Sequence, residues 1–178
     1  MRACVIFDTR YGNTEKVARA LEAGLTGSGI QTDCLGVKDL TIGSLTQYDL
    51  ICVGGPTQYR TASKSMQEFL DAMADANLSG KQAFAFDTRR ESFLAGSAAK
   101  YIEEKLRRRG LRMISQNESA TIVSIGPERR KDEFGDKDEW KEWKHRNEGL
   151  REGEEKRFEQ IGATIGKALA SGYDESTP

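Results

Sequence analysis

The residues best equipped for chemistry stand near the start of the chain, in the run Thr9-Arg10-Tyr11-Gly12-Asn13-Thr14. Before it lies Ala3-Cys4-Val5-Ile6-Phe7, short, apolar and uncharged, which reads as a strand covered on both faces. After it Val17, Leu21 and Leu25 recur at helical spacing. A strand, a polar turn and a helix in this order aim backbone N–H groups and the positive end of a helix dipole at one point, a setting for a phosphate. Thr9 and Thr14 add hydroxyl groups, and Gly12 permits a close approach or a positive φ. Arg10 either pairs with the anion or points to solvent. The spacing is neither G-x-x-x-x-G-K-[ST] nor G-x-G-x-x-G, so neither a nucleoside triphosphate nor a dinucleotide is its natural ligand. An ordinary polar turn between a strand and a helix would share many of these features.

Two more polar loops follow apolar runs. Leu50-Ile51-Cys52-Val53 leads through Gly54-Gly55 into Pro56-Thr57-Gln58-Tyr59-Arg60-Thr61. Ala83-Phe84-Ala85-Phe86 leads into Asp87-Thr88-Arg89 and on to Phe93 and Gly96. Taken singly, each loop has a plain alternative. Tyr59 could be an exposed tyrosine, Asp87 and Arg89 a surface ion pair of little energetic weight, and Gly96-Ser97 a helix start capped by Ser97.

The elements that must carry these loops follow from periodicity and punctuation. Strands are expected at Arg2–Phe7, Ile30–Val37, Leu50–Val53 and Ala83–Phe86, with a fifth inside Arg112–Ile125. Gly54-Gly55-Pro56 and Asp87-Thr88-Arg89 are read as the ends of the third and fourth. Helices are expected at about 13–26, 63–74, 97–109 and 154–170, with Gly27-Ser28-Gly29 and Gly110 as stop signals. Strands alternating with helices predict an α/β fold: a doubly wound, five-stranded parallel sheet with helices on both faces. Ligands of such sheets sit outside the carboxyl ends of the strands, where the three polar loops converge.

Composition narrows the function. A chain of 178 residues with net charge −1 has no basic excess to drive nucleic-acid binding. It has no run of roughly 18 apolar residues to span a membrane. Met1-Arg2-Ala3-Cys4-Val5 already reads as strand and leaves no room for a secretory leader, so the expected location is the cytoplasm. Cys4, Cys34 and Cys52 are widely spaced and form no C-x-x-C, so they are read as small buried hydrophobes. His145 lies alone in a charged segment and is read as a solvated side chain.

Thr9, Gly12, Asn13 and Thr14 match the pattern [ST]-x-x-G-N-T, and along nearly its whole length the chain resembles a flavodoxin-domain protein. Gly54-Gly55-Pro56-Thr57 is similar to the second loop of many such proteins. Ala85–Arg89 with Gly96-Ser97-Ala98-Ala99, and Gly149–Glu154, resemble a subgroup of small prokaryotic members. The resemblance implies strand order 2-1-3-4-5, FMN as cofactor and electron transfer as activity, with a redox partner protein or a small electron acceptor. It places the FMN phosphate in the loop Thr9–Thr14. It gives Pro56–Thr61, with Tyr59 stacking, and Asp87, Thr88, Arg89, Phe93 and Gly96 to the ring and its pyrimidine edge. No catalytic acid, base or metal ligand is assigned, because the flavin carries the chemistry. Two departures stand out: many electron-carrier flavodoxins are strongly acidic and this chain is near neutral, and Thr57–Ala62 contains no glycine.

Residues 1–170 read as one domain and 171–178 as a polar tail, with 128–148 as an insertion dense in both signs of charge. Trp140 and Trp143 are three apart and share a helix face. They either pack on their own domain or, from a carboxyl strand end, cover the cofactor or meet a partner. Two other functions fit the same architecture: an oxidoreductase acting on a quinone or porphyrinogen, and a flavin-free regulatory module. A phosphoacceptor receiver needs an Asp where Gly54-Gly55 ends the third strand, and is set aside.

Overall fold

The structure, a computed structural model, describes residues 1–91, 96–127 and 129–172, the side chain of His145 excepted. The expectations for Phe93, for the His145 side chain and for residues 173–178 of the tail therefore lie outside the described residues.

The elements run β1 (Arg2–Phe7), α1 (Asn13–Gly27), β2 (Gln31–Gly36), β3 (Leu50–Gln58), β4 (Thr61–Ala62), α2 (Lys64–Ala72), β5 (Gln82–Arg90), α3 (Ala98–Arg108), β6 (Arg112–Met113), β7 (Glu118–Ser124), α4 (Lys137–Asn147), β8 (Glu148–Leu150) and α5 (Glu154–Ala170). The sheet order is β2-β1-β3-β5-β7-β8, and every pairing from β2 to β7 along this path is parallel. This is the 2-1-3-4-5 order expected from the sequence. Side chains alternate across the strands into two cores. Val5, Phe7, Cys52, Phe84 and Phe86 face α1 and α5. Cys4, Ile6, Ile51, Val53 and Ala85 face α2 and α3. On α2 and the turn after it, Met66, Phe69, Leu70 and Met73 recur at helical spacing and are buried.

Three strand boundaries differ from the sequence reading. Gly54-Gly55-Pro56 and Asp87-Thr88-Arg89 do not end their strands. Gly54 pairs with Phe86, Gly55 with Asp87 and Pro56 with Thr88, so β3 and β5 support each other past the turn-forming residues. The fifth strand is split: β6 pairs with the start of β5, and β7 with its end. The three-residue strand β8, antiparallel to β7, was not expected. It is too short to carry a period of its own.

Burial also settles the cysteines as structural. All three are free and buried, and burial pushes the Cys4 and Cys34 thiols up to about 12. None supplies a thiolate.

Helices α1 and α5 approach so closely that a side chain on Gly162 would meet the Leu21 carbonyl oxygen at 2.3 Å, and one on Gly24 the Glu159 carbonyl oxygen at 1.9 Å. By contrast, Gly27 at the end of α1 faces open space. Gly162→Ala is expected to cost on the order of 2–4 kcal/mol in denaturant unfolding because backbone cannot yield as a side chain can. Gly27→Ala is expected to be neutral or slightly stabilising in the same measurement.

Candidate functional site

Helix α1 opens without a side-chain cap. Its N-cap is Gly12, with φ 81°, and no side chain accepts from the first-turn amides. Thr9 Oγ1 instead accepts from Gly12 N at 2.9 Å, which fixes the turn before the helix begins. Asn13 and Thr14 are buried there, and Thr14 shares a 2.9 Å hydroxyl contact with Thr88 on β5. A cavity of about 170 Å³ is lined by Thr9, Arg10, Tyr11, Asn13 and Thr14 of the first loop, by Pro56, Thr57 and Gln58 at the end of β3, and by Thr88 and Arg89 of β5. Three carboxyl strand ends thus meet at one uncapped helix start. Uncapped amides, hydroxyls and guanidinium groups around one cavity are an anion site.

The remaining expected residues sit elsewhere. Tyr59 is 99% exposed and does not line the cavity. It and Arg60 form the crest of a hairpin between Gln58 and Thr61, with φ 46° and 70°. Positive φ at both central positions is the two-residue turn that matches strand twist, usually built from Asn and Gly. Gly96 meets this crest through a bridge to Arg60, and a Cβ on it would lie 2.4 Å from the Arg60 carbonyl oxygen. The bridge fastens the second loop to the third, and within the third Arg89 Nη1 donates to the Gly96 carbonyl at 2.9 Å.

Asp87 points inward and is fully buried. Its Oδ2 accepts from Thr57 Oγ1 at 3.0 Å, Ser97 Oγ at 2.8 Å and Ala99 N at 3.0 Å. Thr57 Oγ1 in turn accepts from Ala98 N at 2.9 Å. Asp87 therefore positions the loops from beneath instead of lining the cavity.

Sequence reasoning missed Arg90, Ile122 and Glu148, which complete the lining. The Glu148 carbonyl accepts from Asn13 Nδ2 at 3.5 Å, and its carboxylate pairs with Arg90. The one available signal was the resemblance at Gly149–Glu154, immediately beyond. The position itself is a single acidic residue at the end of a charge-rich run.

The family profile described as Flavodoxin matches residues 5–153. The chain belongs to the flavodoxin family. A flavodoxin from Clostridium saccharobutylicum is 30% identical over 89 residues, covering 49% of this chain and 56% of that protein. An NAD(P)H dehydrogenase (quinone) from Paraburkholderia phymatum is 31% identical over 109 residues, covering 48% and 55%. The chain thus spans about half the length of the curated relatives it matches. Among solved structures, a flavodoxin from the domain Archaea superposes with a TM-score of 0.72 at 20% identity, over 96% of this chain and 99% of that one, which shows a shared fold.

The cofactor of the flavodoxin family is FMN, and the site residues of this chain fit it. An uncapped helix start beside two threonine hydroxyls and Arg10 suits the phosphate. The cavity has room for a phosphate and part of a polyol chain, while a tricyclic ring needs the rim as well. Asp87→Ala leaves two hydroxyls and an amide without their acceptor, so a loss of about 2–4 kcal/mol is expected in urea unfolding. Thr57→Val, which removes one arm of the same network, is expected to cost about half as much.

Proposed function

We propose that this protein binds FMN in the cavity at the start of α1 and serves as an electron carrier. The observation that carries the reading is the 15-residue helix α1, which begins at an uncapped turn facing the shared ends of β3 and β5. FMN, when bound, takes up and passes on electrons. The chain's own residues bind and position it. The first-turn amides of α1, with Thr9 and Thr14, would hold the phosphate, and Arg10, stacked 5.1 Å over the Tyr11 ring, stands beside it. The hairpin crest at Tyr59-Arg60, bridged to Gly96, would supply a wall for the ring beyond the cavity.

The same reading takes residues 1–170 as one domain acting in the cytoplasm. Among the described residues no helix is long and apolar enough to cross a membrane. Arg10, Arg89 and Arg90 line the cavity, so the partner we propose is an acidic protein or an anionic small acceptor, attracted by opposite charge. The name of the Paraburkholderia relative supports a quinone as one such acceptor.

Phosphate recognition separates this reading from general affinity for flat rings. In calorimetric titration FMN is expected to bind on the order of a hundredfold tighter than riboflavin. Thr14→Val should weaken FMN about tenfold and leave riboflavin almost unchanged. Equal affinity for the two flavins would overturn the reading. Reduction of an acidic partner by the FMN-loaded protein should slow as salt rises from low to physiological levels, as screening predicts.

A further inference from the structure

A second opening lies beyond the end of β7, toward α4. It has a volume of about 890 Å³, within the size range of small-molecule pockets. It shares Arg90, Ile122 and Glu148 with the cofactor cavity, so the two are continuous.

Two features of this groove are left over once folding is accounted for. The first is aromatic. The Trp140 and Trp143 rings stack at 5.4 Å and 9°, and Phe134 packs against both at 5.1 and 5.6 Å. Both indoles line the groove and stay only partly buried. Large rings gain most when covered, and here one side has been left open.

The second feature is charge. Arg90 and Lys144 both lean on one carboxylate, Glu148, Arg90 in direct contact and Lys144 at 3.5 Å. The other cations at the groove have their own partners: Arg129 pairs with Glu133 and Arg130 with Asp132. Glu91 faces Arg151. Two cations sharing one anion leave a local positive excess beside the rings. Burial, and then the charge of Arg90, push the Lys144 ammonium below its ordinary value. A second anion would relieve that repulsion.

We propose that the groove binds a planar aromatic molecule bearing an acidic group, its ring against the Trp140–Trp143 pair and its anion at Arg90 and Lys144. The functional reading above supplies only the neighbour, a cofactor on the far side of the shared residues Arg90, Ile122 and Glu148. Binding of the aromatic acid does not require it.

Trp140 and Trp143 are the only tryptophans of the chain, so two indole N–H resonances report on this groove alone. The test is a titration of the FMN-loaded full chain with 2-naphthoate and with its neutral counterpart 2-naphthamide, followed by those resonances. Saturable shifts of both indoles with naphthoate are expected, with naphthamide on the order of tenfold weaker. Lys144→Gln should remove that tenfold preference while leaving naphthamide binding and FMN affinity unchanged. No saturable shift, equal affinity for the two probes, or equal loss of both in Lys144→Gln would overturn the inference. So would displacement of FMN by naphthoate, which would make the groove part of the cofactor site. If the chain takes up no FMN at all, the functional reading fails, and the same titration on the unloaded chain still decides the groove.

Discussion

One carboxylate oxygen holds the working end of this molecule together. Asp87 Oδ2 accepts three hydrogen bonds, from the end of β3 and from the cap and first turn of α3, while Oδ1 is buried with no partner. Burying a carboxylate is costly, and three donors, two of them at a helix N-terminus, are the means of offsetting it. The result is that the end of β3, the end of β5 and the opening of α3 share one anchor. Because β5 also carries Thr88, whose hydroxyl meets Thr14 at 2.9 Å, the anchor extends to the first loop as well.

The framework was legible because its signals are physical necessities. A parallel strand covered on both faces must be apolar, and Ala3–Phe7, Leu50–Val53 and Ala83–Phe86 are. An amphipathic helix must repeat its apolar residues, and α2 does. The first loop was legible as the turn into α1, because a glycine that takes a positive φ and a threonine hydroxyl that closes the turn on it are marked by residue type. The second and third loops were less so. Nothing in the letter sequence says whether an aspartate at a strand end points into a cavity or under it, and Asp87 points under. Tyr59 was read as a stacking ring because it is the aromatic of its loop. The turn geometry places it at the exposed tip of the hairpin, outside the cavity lining.

The charged segment before α5 was the least legible part, for a related reason. Its dense charges read only as an insertion, and much of α4 is solvent-facing. The chain then returns to the sheet as β8, and this return binds it to the site at several points. The Glu148 carbonyl meets Asn13, its carboxylate meets Arg90, and Arg151 meets Glu91. Of the two readings left open for Trp140 and Trp143, packing on their own segment describes their contacts with Phe134 and with each other. Proximity to the cofactor side describes where that small cluster sits.

The hairpin crest shows how tightly the two ring-side loops are coupled. Tyr59 and Arg60 both occupy left-handed backbone without being glycine, at a cost of about 1–3 kcal/mol each. Such a pair persists only where its surroundings over-determine it. Here β4 closes the hairpin on β3, and Gly96 seats against Arg60 in a space that admits no side chain. The second loop of this chain, Thr57–Ala62, contains no glycine, and the close fit is met from the other side by Gly96. Any rearrangement of the crest must therefore move Gly96, and with it the Arg89 guanidinium bonded to its carbonyl. A ligand that contacts Arg89 in the cavity is thereby linked to the exposed tyrosine at the tip, through three residues and without help from the core.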